Sequence, residues 1–141
     1  MTARKKVYII NGPNLNLIGI REPDIYGSKN FDDYLVELKN IFPMLDIYYY
    51  QSNIEGEIIN EIQRVGFDAD LILLNAGGYT HTSIAIADCV AAIKSDVIEV
   101  HITNPYARES YRQHSFLSSK CKAIVAGFGL KSYELALNSI L

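Results

Sequence analysis

Cysteine is scarce and poorly placed for a scaffold. Cys89 and Cys121 are the only two in 141 residues, and without a CxxC spacing they indicate neither a disulfide framework nor a zinc site. Both read as small core residues. Basic charge is not in excess either. The 13 Lys and Arg against 16 Asp and Glu leave a net charge of −3, which lacks the footprint of a nucleic-acid binder. The apolar run after the basic start, Val7 to Ile10, stops at Asn11, too short for a signal peptide or a membrane span. No internal repeat, low-complexity tract or linker is found. What remains is a soluble, cytoplasmic protein in a reducing setting, working on a small molecule and partnered by neither nucleic acid nor membrane.

The content that is present fits one domain. With 49% hydrophobic residues over 141 positions, the chain buries a core of its own, and residues 1–141 are expected to form a single domain. Val7 to Ile10 suits a buried parallel strand. Phe31, Leu35, Leu38 and Phe42 recur at helical spacing, with Asn30 as N-cap and Pro43 as the stop. Asp46 to Gln51 reads as a strand, and Ile54 to Val65 as a helix closed by Gly66. Leu71 to Leu74 is a third strand, followed by the polar loop NAGGYTHTS and a helix to about Lys94. Val97 to Ile102 is the fourth strand and Ala123 to Ala126 the fifth, with a C-terminal helix after Gly127 and Gly129. Five strands alternating with helices predict an α/β fold, a parallel sheet with helices on both faces and right-handed crossovers. Ligands in such folds bind beyond the carboxyl ends of the strands at the switch in strand order. The polar loops after strands one, three and four are therefore expected to meet in one cleft.

Each of those loops carries chemistry. The stretch NGPNLNLIGIREPDIYG, residues 11–27, supplies Asn11, Asn14, Asn16, Arg21 and Tyr26, and reads either as a solvated turn-rich connection or as part of a site. A phenol has an unperturbed pKa near ~10, and a guanidinium close by favours the phenolate, which makes a tyrosinate base feasible. In the second loop His81 follows Gly77 and Gly78 at the mouth of a helix, where it either caps that helix or faces an anion. Asp88, seven residues on, is expected to share a helical face with His81, as a solvated carboxylate or as a group reaching a subunit contact. In IEVHIT, Glu99 and His101 share one face of the fourth strand while Ile98, Val100 and Ile102 take the other. Two ionisable groups on one face are costly unless they serve each other, as a general acid/base pair would. The competing reading is a metal site with His81 as third ligand. Beyond the strand, Arg108 and Arg112, among Tyr106, Tyr111 and His114, are surface charges or binders of a carboxylate and polarisers of Tyr26.

Taken together, NGPNLN, REPDIYG, NAGGYTHTS, EVHITN and the run from Ala107 to Ser115 closely resemble the type II 3-dehydroquinate dehydratases, in order and spacing, over nearly the whole chain. The resemblance implies a flavodoxin-like fold, assembly into a dodecamer of trimers, and conversion of 3-dehydroquinate to 3-dehydroshikimate and water in aromatic biosynthesis or quinate breakdown. It implies that Tyr26 removes the proton beside the ketone. Arg21 matches the arginine of a lid loop, Arg108 the arginine that keeps the tyrosine ionised, and Asn14 the asparagine holding a water against the enolate oxygen. His101, oriented by Glu99, matches the acid that protonates the departing hydroxyl. Asn75, His81 and Arg112 match substrate-binding residues, Ile102 and Thr103 the pair whose backbone receives the substrate carboxylate, and Asp88 an acid from a neighbouring subunit. Thr103 stands where Ser is usual, and Ile20 where a polar or basic residue is frequent.

The residues read alone agree in kind. Proton abstraction beside a carbonyl needs a base, a device to stabilise the enolate and an acid for the leaving group. No nucleotide or metal cofactor is suggested, and no lysine sits in a site loop to form a Schiff base. The alternatives are a flavodoxin-like module for FMN or a phosphorylated ligand, and a receiver-like domain. The latter needs paired acids after strand one, where this chain has Asn11 and Asn14.

Overall fold

The computed structural model describes residues 3–20, 24 and 28–141. Its principal elements are β1 (Lys5–Asn11), α1 (Phe31–Ile41), β2 (Leu45–Gln51), α2 (Glu55–Val65), β3 (Leu71–Asn75), α3 (Ile84–Ala92), β4 (Val97–His101), β5 (Ala123–Ala126) and α4 (Lys131–Asn138). The five strands form one sheet in the order β2-β1-β3-β4-β5, and every neighbouring pair is parallel. The parallel sheet is the one expected from the alternation, and its strand order is the flavodoxin-like one that the family resemblance implied. Its strand order reverses at β1, so the carboxyl ends of β1 and β3 flank the crevice where such sheets bind ligands.

Period-two alternation divides each central strand between two apolar layers. Val7 and Ile9 of β1, Leu71 and Leu73 of β3, and Ile98 and Val100 of β4 pack with α1 and α4 through Phe31, Tyr34, Leu38, Tyr133 and Leu137. On the other face Ile10, Ile72, Leu74 and Val97 meet α2 and α3 through Ile58, Ile62, Val65, Ile86 and Val90. Both flanks of the sheet are thereby covered, as a parallel sheet requires.

The helix starts follow side-chain chemistry. Asn30 caps α1 by accepting the Asp33 N–H at 2.8 Å, and Ser83 caps α3 by accepting the Ile86 N–H at 2.9 Å, each satisfying an orphan donor of the first turn. Gly66 closes α2 as expected, and contacts rather than backbone conformation call for a glycine there. Its φ is −68°, open to any residue, but a Cβ there would lie 2.5 Å from Ile93 Cγ2 and 2.6 Å from the Ile62 carbonyl oxygen. Close packing, not backbone conformation, demands the glycine.

A second close approach shapes the switch point. The Gly12 N–H donates to the Asn75 carbonyl at 2.8 Å, and a Cβ on Gly12 would sit 2.6 Å from the Ala76 carbonyl oxygen. Because backbone on both sides has no room to yield, Gly12→Ala is expected to cost about 1–3 kcal/mol. Urea unfolding checks this, and an unchanged midpoint would show that the strand ends can part. No helix among the described residues is long and apolar enough to cross a membrane.

Candidate active site

A polar row crosses the carboxyl ends of the central strands. Asn11 is in register with Gln51 on β2 and with Asn75 on β3. Asn11 and Asn75 are buried, and the Tyr133 hydroxyl of α4 joins them from beneath. It donates to Asn11 Oδ1 at 2.8 Å and accepts from Asn75 Nδ2 at 3.0 Å, while Asn75 Oδ1 accepts the Gly77 N–H at 3.2 Å. Burial drives the Tyr133 phenol far above its ordinary pKa, so it works as a fixed hydrogen-bond bridge. The floor of the crevice is thus immobilised before any ligand arrives.

Three loops rise from that floor. After β1, Asn14 takes a left-handed conformation, φ 68°, uncommon for a residue other than glycine. Its N–H donates to Asn53 Oδ1 at 3.0 Å, and Gln51 Nε2 donates to both Asn53 Oδ1 and the Gly12 carbonyl at 3.1 Å. Asn14 caps the following 3-10 turn without using its side chain. After β3, residues Gly77–His81 form a 3-10 turn. After β4, the chain runs through short 3-10 turns at Pro105–Ala107 and Ser110–Arg112.

The cleft between these loops is lined by Asn14, Asn75, His81, His101, Ile102, Thr103, Arg108 and Arg112, together with Pro13, Leu15, Gly77, Gly78 and Pro105. Eight of the residues singled out from the sequence therefore meet in one place. Glu99 lies directly behind them and Asp88 does not join them. Asp88 is exposed on α3, and because His81 lies in the 3-10 turn before Ser83 rather than in α3, the shared helical face expected for the two does not exist. Ser83, not His81, caps the helix. Arg21 and Tyr26 fall outside the described residues.

His81 is oriented by the segment that follows the turn Ser110–Arg112. Its Nδ1–H donates to the His114 carbonyl at 2.7 Å, which fixes the tautomer and leaves Nε2 as the acceptor of the neutral ring. Burial lowers its pKa; the His114 carbonyl opposes that, and His101 and Arg112 reinforce it. The ring stacks nearly parallel to His101, centroids 6.5 Å apart.

The pairing of Glu99 with His101 is direct. His101 Nε2 donates to Glu99 Oε2, with the carboxylate side chain 2% exposed and the imidazole 11%. Burial alone would push the Glu99 carboxyl up, but the hydrogen bond and charge of His101 and the hydroxyls of Ser118 and Ser115 outweigh it and hold it below the ordinary value. An ionised Glu99 commits Nε2 to itself and leaves Nδ1 for another partner. Sequence reasoning missed Ser115 and Ser118, whose Oγ atoms donate to Glu99 Oε1 at 3.1 and 2.7 Å. They sit in an irregular stretch where no periodicity signals which serine turns inward.

Positive charge gathers at the mouth. Arg108 Nη1 approaches Thr103 Oγ1 at 3.4 Å, and Arg112 Nε donates to Glu109 Oε2 at 2.7 Å. Ile102 and Thr103 lie just past the last ladder pair, His101 with Ala126, and no backbone acceptor among the described residues takes their N–H groups. Arginines, imidazoles and backbone donors around one cleft suit an oxygen-rich anion. No group of three or more His, Cys, Asp or Glu among the described residues is arranged to hold a metal ion.

A flavodoxin-like sheet with a buried carboxylate–imidazole pair beside a cleft rich in arginine, imidazole and amide groups places the chain among the small α/β proteins that carry a polar cleft at the switch in strand order. The sequence pattern of the family described as Dehydroquinase class II matches residues 5–141, and the chain belongs to that family. It is 50% identical over 134 residues to the 3-dehydroquinate dehydratase of Nitratiruptor sp., covering 94% of this chain and 86% of that one. To the 3-dehydroquinate dehydratase of Caldicellulosiruptor bescii it is 47% identical over 139 residues, covering 96% of each. The crystal structure of type II dehydroquinase from Butyrivibrio crossotus superposes with a TM-score of 0.92 at 42% identity, covering 99% of both chains. That from Propionibacterium acnes gives 0.94 at 37% identity, covering 99% of this chain and 98% of the other. Membership in this family disfavours the flavin or phosphorylated-ligand module.

Proposed function

We propose that the protein is a 3-dehydroquinate dehydratase that eliminates water through an enolate without a cofactor, residues 1–141 acting as one catalytic domain. The observation that carries this reading is the Glu99–His101 pair set into a cleft shared with Asn14, Asn75, Arg108 and Arg112. Tyr26, ionised with help from Arg108 and covered by a lid bearing Arg21, takes the proton from the carbon beside the ketone. The electron pair moves onto the ketone oxygen, where a water held by Asn14 stabilises the enolate. When the enolate collapses, the carbon–oxygen bond to the leaving hydroxyl breaks and His101 supplies the proton that turns it into water. The proton gained by Tyr26 and the one lost by His101 balance through solvent before the next turnover.

Binding follows from the same cleft. The Ile102 and Thr103 N–H groups receive the substrate carboxylate, and Asn75, His81 and Arg112 take its hydroxyls. Thr103 retains the hydroxyl of the more usual serine, so its methyl group is expected to trim the cleft without altering the chemistry. Asp88, exposed and away from the cleft of its own chain, fits a role at a neighbouring subunit's site in a dodecamer built from trimers. A cytoplasmic place in aromatic biosynthesis or quinate breakdown accords with this chemistry.

The purified protein, treated with a chelator, is expected to convert 3-dehydroquinate to an enone product detectable by its ultraviolet absorbance. Absence of product would defeat the assignment, and activity lost to the chelator but restored by a metal would defeat the cofactor-free route.

A further inference from the structure

Behind the cleft the Glu99 carboxylate is gripped at both oxygens. Oε2 accepts the His101 ring N–H, while Oε1 accepts the hydroxyls of Ser118 at 2.7 Å and Ser115 at 3.1 Å. The two serines play different parts. Ser115 Oγ also accepts the N–H groups of Leu117 at 3.0 Å and Ser118 at 3.1 Å. With its lone pairs taken by backbone, its one proton is left for the carboxylate. The same two bonds fold the entry to the 3-10 turn Ser118–Lys120, which brings Ser118 onto the same oxygen. A stretch without regular structure is thereby organised around a single carboxylate oxygen.

Such a grip matters because Glu99 is 1% exposed. A carboxylate so buried with one partner would gain by taking up a proton, and a neutral acid neither fixes the imidazole tautomer nor stabilises an imidazolium. We propose that Ser115 and Ser118 are positioning residues for the acid step, their hydroxyls keeping Glu99 ionised and turned so that Oε2 faces the His101 ring. The inference rests on the dehydratase reading, in which His101 protonates the leaving hydroxyl. Around Glu99 the other charged or titratable groups among the described residues are His101 on its own strand, His81, Tyr106 and Arg112 from the 3-10 turns that line the same hollow, and Cys121 after the turn Ser118–Lys120, whose thiol burial pushes up to about 12, with the Glu99 charge adding to the effect. None of these donates to Oε1; the serines alone do so among the described residues.

The sign of the effect follows from the opposed causes. Burial raises the Glu99 pKa and the hydroxyls lower it, so removing the Ser118 hydroxyl moves the titration of Glu99 to higher pH. Below that pH His101 loses its charged partner, and the acid limb of the kcat profile moves up with it.

The test compares wild type, Ser118→Ala and Ser118→Thr, by carbon-13 NMR titration of the Glu99 carboxyl and by kcat and KM for 3-dehydroquinate across pH. In Ser118→Ala the carboxyl is expected to titrate higher by about one unit, with kcat about tenfold lower near the acid limb and KM little changed. Ser118→Thr, which keeps the hydroxyl, is expected to restore both. Should Ser118→Ala not fold, Ser118→Gly carries the same expectation. Titration and acid limb both coincident with wild type would overturn the proposal, as would a loss of kcat with neither displaced. A wild type inactive on 3-dehydroquinate defeats the dehydratase reading, and the proposal that rests on it, whatever the NMR comparison gives. An active wild type with an unmoved titration defeats the serine role alone.

Discussion

Replacing Tyr26 by phenylalanine is expected to lower kcat for 3-dehydroquinate by about 10²–10⁴-fold, the usual worth of a positioned general base. The change removes one oxygen and leaves the ring, so KM should move little and thermal unfolding should stay close to wild type. The reasoning starts from acidity. A phenol near ~10 is protonated at neutral pH unless a cation favours its phenolate, and Arg108, placed at the cleft from the far end of β4, is the group to do so. Arg108→Ala should therefore reproduce part of the loss and move the low-pH limb of the kcat profile, where the base takes up a proton, to higher pH. Steady-state assays on purified variants decide the matter. If Tyr26→Phe turns over within tenfold of wild type, a different base operates and the enolate route must be redrawn.

His101→Ala is expected to be as damaging to turnover, about 10²–10⁴-fold, and to alter stability as well. In wild type the folded Glu99 pKa lies below its ordinary value. Its contribution to stability is therefore present above the unfolded pKa and lost as pH falls through the folded one. Without His101 the largest opponent of burial disappears, and the buried carboxyl should titrate above its unfolded value of about 4.3. The dependence then reverses, since a raised carboxyl contributes stability below the unfolded pKa and loses it as pH rises through the folded one. At neutral pH, leaving the carboxylate without its main partner is expected to cost about 1–3 kcal/mol. Urea unfolding of both proteins over a pH series from about 4 to 8 reads the reversal directly. Parallel stability curves would mean that Glu99 does not depend on His101 for its charge.

The site owes its stiffness to parts that carry no chemistry. Tyr133 ties α4 to Asn11 and Asn75 and packs its ring against Phe31 of α1, centroids 5.0 Å apart. The layer on that side of the sheet thus reaches the floor of the cleft through one hydroxyl. On the opposite layer, the turn that carries Ser115 and Ser118 does the same for Glu99. Asn75, His81 and Glu99 are thus each held by a partner remote in sequence, Tyr133, the His114 carbonyl and Ser118, which keeps the groups of the cleft in fixed relation.

Much of this was legible in the chain. The helices followed from apolar residues recurring at a period near 3.6, and the strands from short apolar or β-favouring runs bounded by turn residues, because a parallel strand is buried on both faces. The Glu99–His101 pair followed from the alternation of side chains along a strand, two charged groups on one face of an apolar strand. The loops converged as expected because a parallel sheet gathers the carboxyl ends of its strands at one edge. Other features answered to contacts that no local pattern encodes. Gly66 is required by the Ile93 side chain, not by a left-handed turn. His81 takes its orientation from the His114 carbonyl, 33 residues away, and the alignment of Asn11 with Gln51 and Asn75 exists only once β1 lies between β2 and β3.

By itself, then, the sequence determined the layers, the strand ends that face the site and the types of group available there, since each depends on which residues prefer water and how often they recur. The tertiary structure decided which groups touch: the serines on Glu99, the tyrosine beneath Asn75 and the placing of Asp88 outside the cleft of its own chain. Hydrogen bonds are directional and close within about 3 Å, and such distances between segments far apart in the chain are set only when the whole sheet is assembled.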